Sequence, residues 1–250
     1  MWAPGDRPIA ADPAEVDGVN CGAAGIDVVV DATPRLITIA DPHDAEGLVL
    51  VLHGGGSRPG SPMVNPTQLS VLRMVPIARR IARAGRGRLA VYRLLNSVRG
   101  WDSRHTPVDD VHWALRHLGD RFPELPPTAL VGHSLGGRAA LLAGGAPTVR
   151  SVVALNPWVR PTDTVSLSGR EVLIVHGSAD RIADPDSSAA MARRLGPTAN
   201  VSYVQVSDGK HAMLRRHRTF DSLASDFVVE TLLRSGSRPV RGPEPAWRRV

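Results

Sequence analysis

From residue 89 onward the sequence alternates short apolar runs with longer amphipathic stretches, and this alternation limits the folds open to the chain. The apolar runs predict β-strands at 89–94, 129–131, 152–155, 172–175 and 201–206. The stretches between and after them predict helices at 108–118, 135–144, 185–195 and 219–233. Strands that are apolar on both faces and separated by helices are typical of a parallel sheet with helices on both faces. The pattern therefore predicts an α/β fold.

The part of the chain before residue 89 predicts the opening of the same sheet. Three further strands are expected at 27–30, 35–40 and 48–52, followed by an amphipathic stretch at 68–84. The total is about eight strands, which suits a single domain in a chain of 250 residues. We expect a partly irregular N-terminal extension at 1–25, one domain at 26–233, and a basic, disordered Pro/Arg-rich tail at 234–250.

Charge is segregated along the chain. Residues 1–46 contain nine acidic residues and two arginines, whereas residues 79–104 contain eight arginines and one aspartate. A basic excess can indicate nucleic-acid binding, but no sequence motif of an RNA- or DNA-binding domain accompanies these arginines. We therefore expect no nucleic-acid partner.

Cysteine content and hydropathy point to the compartment. The single cysteine, Cys21, cannot form an intramolecular disulfide and leaves no Cys-based zinc site. The most apolar run, 48–52, is far shorter than the ~18 residues of a membrane span, and no signal peptide is visible. We expect a cytoplasmic protein that does not bind membranes.

The loop after the predicted strand at 129–131 contains a G-x-S-x-G motif, Gly132-His133-Ser134-Leu135-Gly136. A tight turn from a strand into a helix exposes the serine hydroxyl, and flanking glycines remove the Cβ atoms that would collide there. The helix N-terminus at Leu135 offers backbone N–H groups to a developing oxyanion. Ser134 is thus a candidate nucleophile. The alternative is a helix N-cap at Ser134 with the glycines as turn formers.

A second glycine-rich loop, His53-Gly54-Gly55-Gly56, follows the predicted strand at 48–52. Consecutive glycines let the backbone approach a substrate carbonyl, so the N–H groups of Gly54 and Gly55 are candidate oxyanion donors. No Lys-Ser or Lys-Thr pair follows, which argues against a phosphate-binding Walker loop. A plain flexible loop is the alternative.

These two loops together resemble those of the α/β-hydrolase superfamily, specifically its serine esterase-like members without a large lid. Residues 36–233 fit the order of elements in that family. The resemblance implies an α/β-hydrolase fold with a mostly parallel sheet, no metal or organic cofactor, and a triad in the order Ser, Asp or Glu, His. It says little about substrate, because the fold hosts many chemistries.

Asp180 is the candidate triad acid, since it lies in the loop just after the predicted strand at 172–175. Its role would be to accept a hydrogen bond from the imidazole Nδ1 and so set the tautomer of the base. Asp184 and Asp186 are close alternatives, although they stand where acidic helix caps are expected. Asp163, after the preceding strand, is less favoured.

His211 is the candidate base, because it lies in the loop after the predicted strand at 201–206. Its Nε2 would take the proton of Ser134 and return it to the leaving group. His217, six residues further on, is the alternative. His53 and His133 lie beside the two glycine turns and are interpreted as supports of those loops.

Only a short connection, 156–171, separates the strands at 152–155 and 172–175, where this superfamily usually carries a lid domain. We therefore expect no large cap, and an open, shallow site suited to a small or solvent-accessible substrate. Trp101 and Trp158 follow predicted strands at the same edge of the sheet. They are either pocket walls or packing residues under loops.

The sequence as a whole favours hydrolysis of a carboxylic ester or thioester through an acyl-enzyme on Ser134. One alternative uses the same residues to transfer the acyl group to an acceptor other than water. Another is a non-catalytic binding module on the same fold, with the arginine-rich 79–104 region as a contact surface for acidic partners.

Overall fold

Eight strands form one sheet in the computed structural model, which describes residues 33–56, 64–234 and 246–250. The strands are β1 (Arg35–Ala40), β2 (Gly47–Leu52), β3 (Leu89–Leu95), β4 (Thr128–His133), β5 (Val149–Leu155), β6 (Glu171–Gly177), β7 (Asn200–Val206) and β8 (Ala246–Arg249). Their order across the sheet is β1-β3-β2-β4-β5-β6-β7-β8. β1 runs antiparallel to β3, and all other neighbours are parallel.

Helices cover both faces of the sheet. They are α1 (Leu69–Leu72), α2 (Met74–Gly85), α3 (Thr106–Gly119), α4 (Leu135–Ala143), α5 (Pro185–Leu195) and α6 (His217–Leu233). Alternate strand residues face opposite ways, so two apolar cores form. One lies beneath α3, α4 and α5, and the other beneath α2 and α6. The central strands β2 and β4 are buried along their whole length, as the apolar runs at 48–52 and 129–131 predict.

The amphipathic stretch expected at 68–84 is divided into α1 and α2 rather than forming one helix. Pro76 explains the division. Proline has no backbone N–H, so position 76 cannot donate the hydrogen bond to the carbonyl of Leu72 that a continuous helix requires. In the first turn of α2 that N–H is not needed, and proline is tolerated.

The prediction of a disordered tail at 234–250 is wrong for its last residues. Ala246–Arg249 form β8, which pairs parallel with β7, and Trp247 packs against Tyr203 with ring centroids 4.6 Å apart. The backbones of Ser207 and Gln205 both hydrogen-bond to Val250. Contact of an aromatic ring and pairing of an open sheet edge together order the segment.

Two other expectations concern the N-terminal segment and the connection between β5 and β6. The predicted strand at 27–30 and the N-terminal extension at 1–25 lie outside the described residues. Between β5 and β6, residues 156–170 contain no helix or strand, so no lid domain is inserted there. No helix in the described part of the chain has the length and apolarity to cross a membrane.

Candidate active site

The loops that follow β4, β6 and β7 meet at the carboxyl edge of the sheet and bring three distant side chains into hydrogen-bond contact. Ser134 Oγ lies 2.9 Å from His211 Nε2, and His211 Nδ1 lies 2.8 Å from Asp180 Oδ2. The structure thus places all three predicted triad residues in one continuous chain of hydrogen bonds. This is the arrangement by which an imidazole can remove a proton from a serine hydroxyl.

The backbone at Ser134 is strained. Its φ of 56° and ψ of −119° lie in a region that non-glycine residues rarely adopt. The strain persists because the turn is tightly packed: a Cβ on Gly132 would lie 2.0 Å from the carbonyl oxygen of Gly136, and one on Gly136 would lie 2.5 Å from the carbonyl oxygen of His53. The Ser134 N–H donates to the Leu155 carbonyl at 3.0 Å. Both motif glycines are therefore required by the close approach of backbone segments.

Both oxygens of the Asp180 carboxylate accept hydrogen bonds. Oδ1 accepts the backbone N–H groups of Ile182 and Ala183, at 2.8 and 3.0 Å. Oδ2 accepts from His211 and lies 3.3 Å from Nε2 of a second imidazole, His176. Burial alone would raise the pKa of Asp180, but these hydrogen bonds, from His176 and His211 first, hold it well below the usual range. Asp180 is therefore a stable carboxylate opposite His211.

His176 is a residue that the sequence interpretation missed. It is fully buried in β6, and its Nε2 faces two acceptors, the Asp180 carboxylate and the Ala183 carbonyl at 3.2 Å. Nε2 must therefore carry a proton, and Nδ1 contacts the Ser188 hydroxyl at 2.7 Å. In the sequence a histidine inside an apolar strand looks like a packing residue, so only its neighbours in space identify it as a partner of Asp180.

Asn156 and His133 hold the backbone of the His211 loop. The Asn156 amide donates to the carbonyls of Lys210 and His211, at 3.1 and 3.0 Å, and its oxygen accepts the Gly177 N–H at 2.8 Å. His133 Nε2 donates to the same His211 carbonyl at 2.8 Å. Asn156 therefore ties the loop that carries the acid to the loop that carries the base.

His133 is neutral in this setting. Its ring is buried beside Ser134, and burial together with the neighbouring His211 lowers its pKa to about 3. Its second ring nitrogen, Nδ1, is buried without a hydrogen-bond partner. The interpretation of His133 as a loop support agrees with its bond to the His211 carbonyl.

His53 orients the glycine loop after β2. The N–H of Asn96 donates to His53 Nε2 at 3.2 Å, so the ring proton resides on Nδ1, which donates to the Gly54 carbonyl at 2.6 Å. In a trans peptide the carbonyl and the next N–H point in opposite directions, so the Gly55 N–H points away from His53. A Cβ on Gly54 would lie 2.9 Å from the Cβ of Ser134, which shows how closely the two loops approach.

The alternative triad candidates have other partners. Asp184 caps α5 by accepting the N–H groups of Asp186 and Ser187. Asp163 forms a buried, bidentate ion pair with Arg138, at 2.8 and 2.5 Å. His217 is exposed and contacts the Leu214 carbonyl at 3.2 Å. None of these contacts reaches Ser134.

A cavity of about 980 Å³ opens in front of Ser134, and both Trp101 and Trp158 lie in its wall. The volume is at the upper end of the range for small-molecule pockets, so the site is larger than the shallow opening expected from the sequence. Behind the wall, the guanidinium of Arg138 lies 4.1 Å from the ring centroid of Trp101 and 5.8 Å from that of Trp158. The ion pair with Asp163 thus supports both aromatic rings.

Metal binding finds no support in the part of the chain that the structure describes. There, no three His, Cys, Asp or Glu side chains are arranged to hold a metal ion.

The described structure resembles solved structures of α/β serine hydrolases. One, a lid-free α/β serine hydrolase from Xanthomonas campestris, is 19% identical with a TM-score of 0.60, covering 82% of this chain and 97% of its own. Est1E from Butyrivibrio proteoclasticus, with ferulic acid bound, is 14% identical with a TM-score of 0.60, covering 80% and 96%. An α/β serine hydrolase homologue from Coxiella burnetii is 18% identical with a TM-score of 0.57, covering 77% and 90%.

No family model and no curated protein sequence matches the chain. At such low identities the structural likeness establishes the fold, and the fold class expected from the sequence is confirmed: an α/β-hydrolase fold without a lid, with an eight-stranded, mostly parallel sheet.

Proposed function

We propose that this protein is a serine hydrolase that cleaves a carboxylic ester or thioester through an acyl-enzyme on Ser134. The observation that carries the proposal is the hydrogen-bond chain from Ser134 Oγ through His211 to Asp180, with distances of 2.9 and 2.8 Å. The strained turn at Ser134 and the cavity in front of it support the same conclusion. The likeness to α/β serine hydrolases is consistent with it.

In the first half of the reaction, Ser134 Oγ attacks the substrate carbonyl while His211 Nε2 takes the hydroxyl proton. The resulting imidazolium is stabilised by Asp180, which the surrounding donors keep ionised. His211 then donates the proton to the leaving alcohol or thiol. In the second half, water attacks the acyl-enzyme with His211 again acting as base, and the carboxylic acid is released.

The developing oxyanion would be stabilised by two backbone N–H groups from the loops after β2 and β4. Leu135 is the first residue of α4, so its N–H has no partner within the helix. The second donor is the N–H of Gly55, because Gly55 lies in the cavity wall and His53 orients its peptide away from the core. The N–H of Gly54, in the same loop, is the alternative.

A fluorophosphonate probe tests the proposal directly, because it forms a stable adduct only with an activated serine. We expect stoichiometric labelling of the wild-type protein, mapped by mass spectrometry to the peptide that contains Ser134. Ser134→Ala should lose the label and lose hydrolysis of p-nitrophenyl esters by roughly four to six orders of magnitude in kcat.

Ser151→Ala is a matched control for this experiment, since Ser151 is a fully buried serine whose hydroxyl contacts Thr231, away from the triad. It should keep the label. Folded wild-type protein that takes no label would reject a catalytic role for Ser134 and favour a non-catalytic binding module.

A further inference from the structure

The mouth of the cavity in front of Ser134 is unusually apolar for a surface. Six large apolar side chains are exposed in the described part of the chain, and four of them line this cavity. These four are Leu69, Leu72, Ile182 and Leu214, with exposed fractions of 85, 44, 68 and 71%. Exposed apolar side chains clustered at one opening indicate a surface that binds an apolar group.

One exposed arginine lies at the same opening, and four more are next to its wall residues in the sequence. Arg160 is exposed and lies in the cavity wall, with its guanidinium 5.0 Å from the Trp158 ring centroid. Other exposed arginines directly adjoin residues of the wall: Arg181 precedes Ile182, Arg215 follows Leu214, and Arg216 and Arg218 flank His217. We call these five arginines the basic rim.

Little negative charge offsets the basic rim. Among the described residues of the wall, the one carboxylate is Asp221, and it is paired with Arg73 at 3.1 Å. Within the described chain, only Arg216 of the five rim arginines has a carboxylate within ion-pair distance, Asp208 at 3.6 Å. The opening therefore combines an apolar wall with the guanidinium of Arg160, and most of the arginines that adjoin the wall in sequence also have no carboxylate partner among the described residues.

We propose that the substrate is an amphiphilic acyl ester that carries a phosphate, and this inference rests on the ester hydrolysis proposed above. The acyl chain lies against the apolar wall, and the phosphate binds the basic rim. Guanidinium groups suit this anion because their planar fork donates two parallel hydrogen bonds to phosphate oxygens. A cavity of about 980 Å³ has room for one such molecule, so we assign a single dissolved substrate rather than a lipid surface.

This substrate class differs from the small, solvent-accessible ester expected from the sequence. The difference arises because Leu69 comes from α1 and Ile182 and Leu214 come from two separate loops, and only folding brings them to one opening.

A matched pair of esters tests the proposal: decanoyl lysophosphatidate, and the monoacylglycerol with the same decanoyl chain. The two molecules share the scissile ester and differ only in the phosphate. Below their critical micelle concentrations and at low salt, we expect kcat/KM, measured from released decanoate, to be about tenfold higher for the phosphate ester. Raising NaCl from about 0.02 to about 0.5 M should remove most of this preference, because salt screens exposed charges.

The triple variant Arg160→Gln, Arg181→Gln, Arg215→Gln should lower the ratio of the two kcat/KM values to near one. The control is Arg83→Gln, Arg116→Gln, Arg150→Gln, which removes the same charge from exposed arginines outside the cavity wall. The control should keep the wild-type ratio. An equal drop in both triple variants would show that net charge matters and the rim does not.

Three further outcomes would overturn the proposal. The first is equal hydrolysis of the two esters at low salt. The second is hydrolysis of the phosphate ester only above its critical micelle concentration, which would mean that the rim recognises an aggregate surface. The third is hydrolysis of neither, while p-nitrophenyl esters are still cleaved. Loss of activity on all esters together with no fluorophosphonate label would instead reject the proposed function itself.

Discussion

The side chains behind Ser134 are buried and fixed by hydrogen bonds, whereas the apolar side chains in front of it are exposed. Behind it, Asp180, His176 and Asn156 are buried, and each is connected by hydrogen bonds to at least two other residues. In front of it, Leu69 and Leu214 are largely exposed.

The contrast follows from what each region has to do. Reacting groups lose rate steeply when they move by a few tenths of an ångström, so they need directional contacts that leave one arrangement. An apolar chain makes non-directional contacts, so the residues that bind it can stay mobile. Changes behind Ser134 should therefore affect kcat or stability, and changes in front of it should affect substrate preference.

Asp180→Asn should have the largest effect. The amide is similar in size, but it can no longer stabilise the imidazolium or set the tautomer of His211, so we expect kcat to fall about ten-thousandfold. The control is Asp184→Asn, because asparagine can still cap α5. Steady-state kinetics on one p-nitrophenyl ester measures both variants. A comparable loss in the control would reassign the acid.

Arg138→Met should lower the free energy of unfolding by about 3–5 kcal/mol, because it leaves the buried Asp163 carboxylate without its partner. Adding Asp163→Leu should recover most of this loss, since the unpaired charge is then gone. Urea denaturation at neutral pH measures both. If the single variant unfolds like wild type, the ion pair does not support the wall formed by Trp101 and Trp158.

His133→Gln should reduce the dependence of stability on pH. The unfolded chain binds a proton at this histidine below its ordinary pKa, whereas in the folded state the pKa is lowered to about 3. The unfolded state thus binds more protons, and stability falls as pH falls. Between about pH 7 and about pH 5 the wild-type protein should lose about 2 kcal/mol more than the variant. Parallel urea-denaturation series at several pH values test this, and identical slopes would contradict it.

His176→Phe should have the smallest effect of the four, a fall in kcat of about tenfold. It removes one of four hydrogen bonds to the Asp180 carboxylate, worth about 1.4 kcal/mol at the transition state. His176→Gln is the conservative variant, because its amide can donate from near the position of Nε2, and it should restore most of the rate. If both variants lose the same rate with unchanged stability, the bond to Asp180 is not the reason.

Features that depend on neighbours along the chain could be predicted from the sequence alone. Continuous apolar runs indicate the core strands, and apolar residues spaced about 3.6 positions apart indicate the helices, which is why the core strands and α5 could be predicted closely. The turn at Ser134 was predictable for the same reason, since Gly132 and Gly136 lie within two residues of it. The glycine loop after His53 was also predictable, because its glycines are consecutive in the sequence.

The choice between chemically equivalent residues depends on how the loops fold in three dimensions. Asp163, Asp180 and Asp184 all lie in loops at the same edge of the sheet, and their partners depend on the paths of those loops. The same holds for His211 against His217, and for the partners of His176.

The C-terminal tail shows most clearly what the local sequence pattern cannot predict. Its composition indicates disorder, yet Ala246–Arg249 complete the sheet because β7 offers an open edge and Tyr203 a ring for Trp247 to pack against. Contacts between residues tens of positions apart depend on where the chain has already folded. The local pattern of a sequence therefore predicts its elements and its turns, and the meeting of those elements in space selects which side chains react.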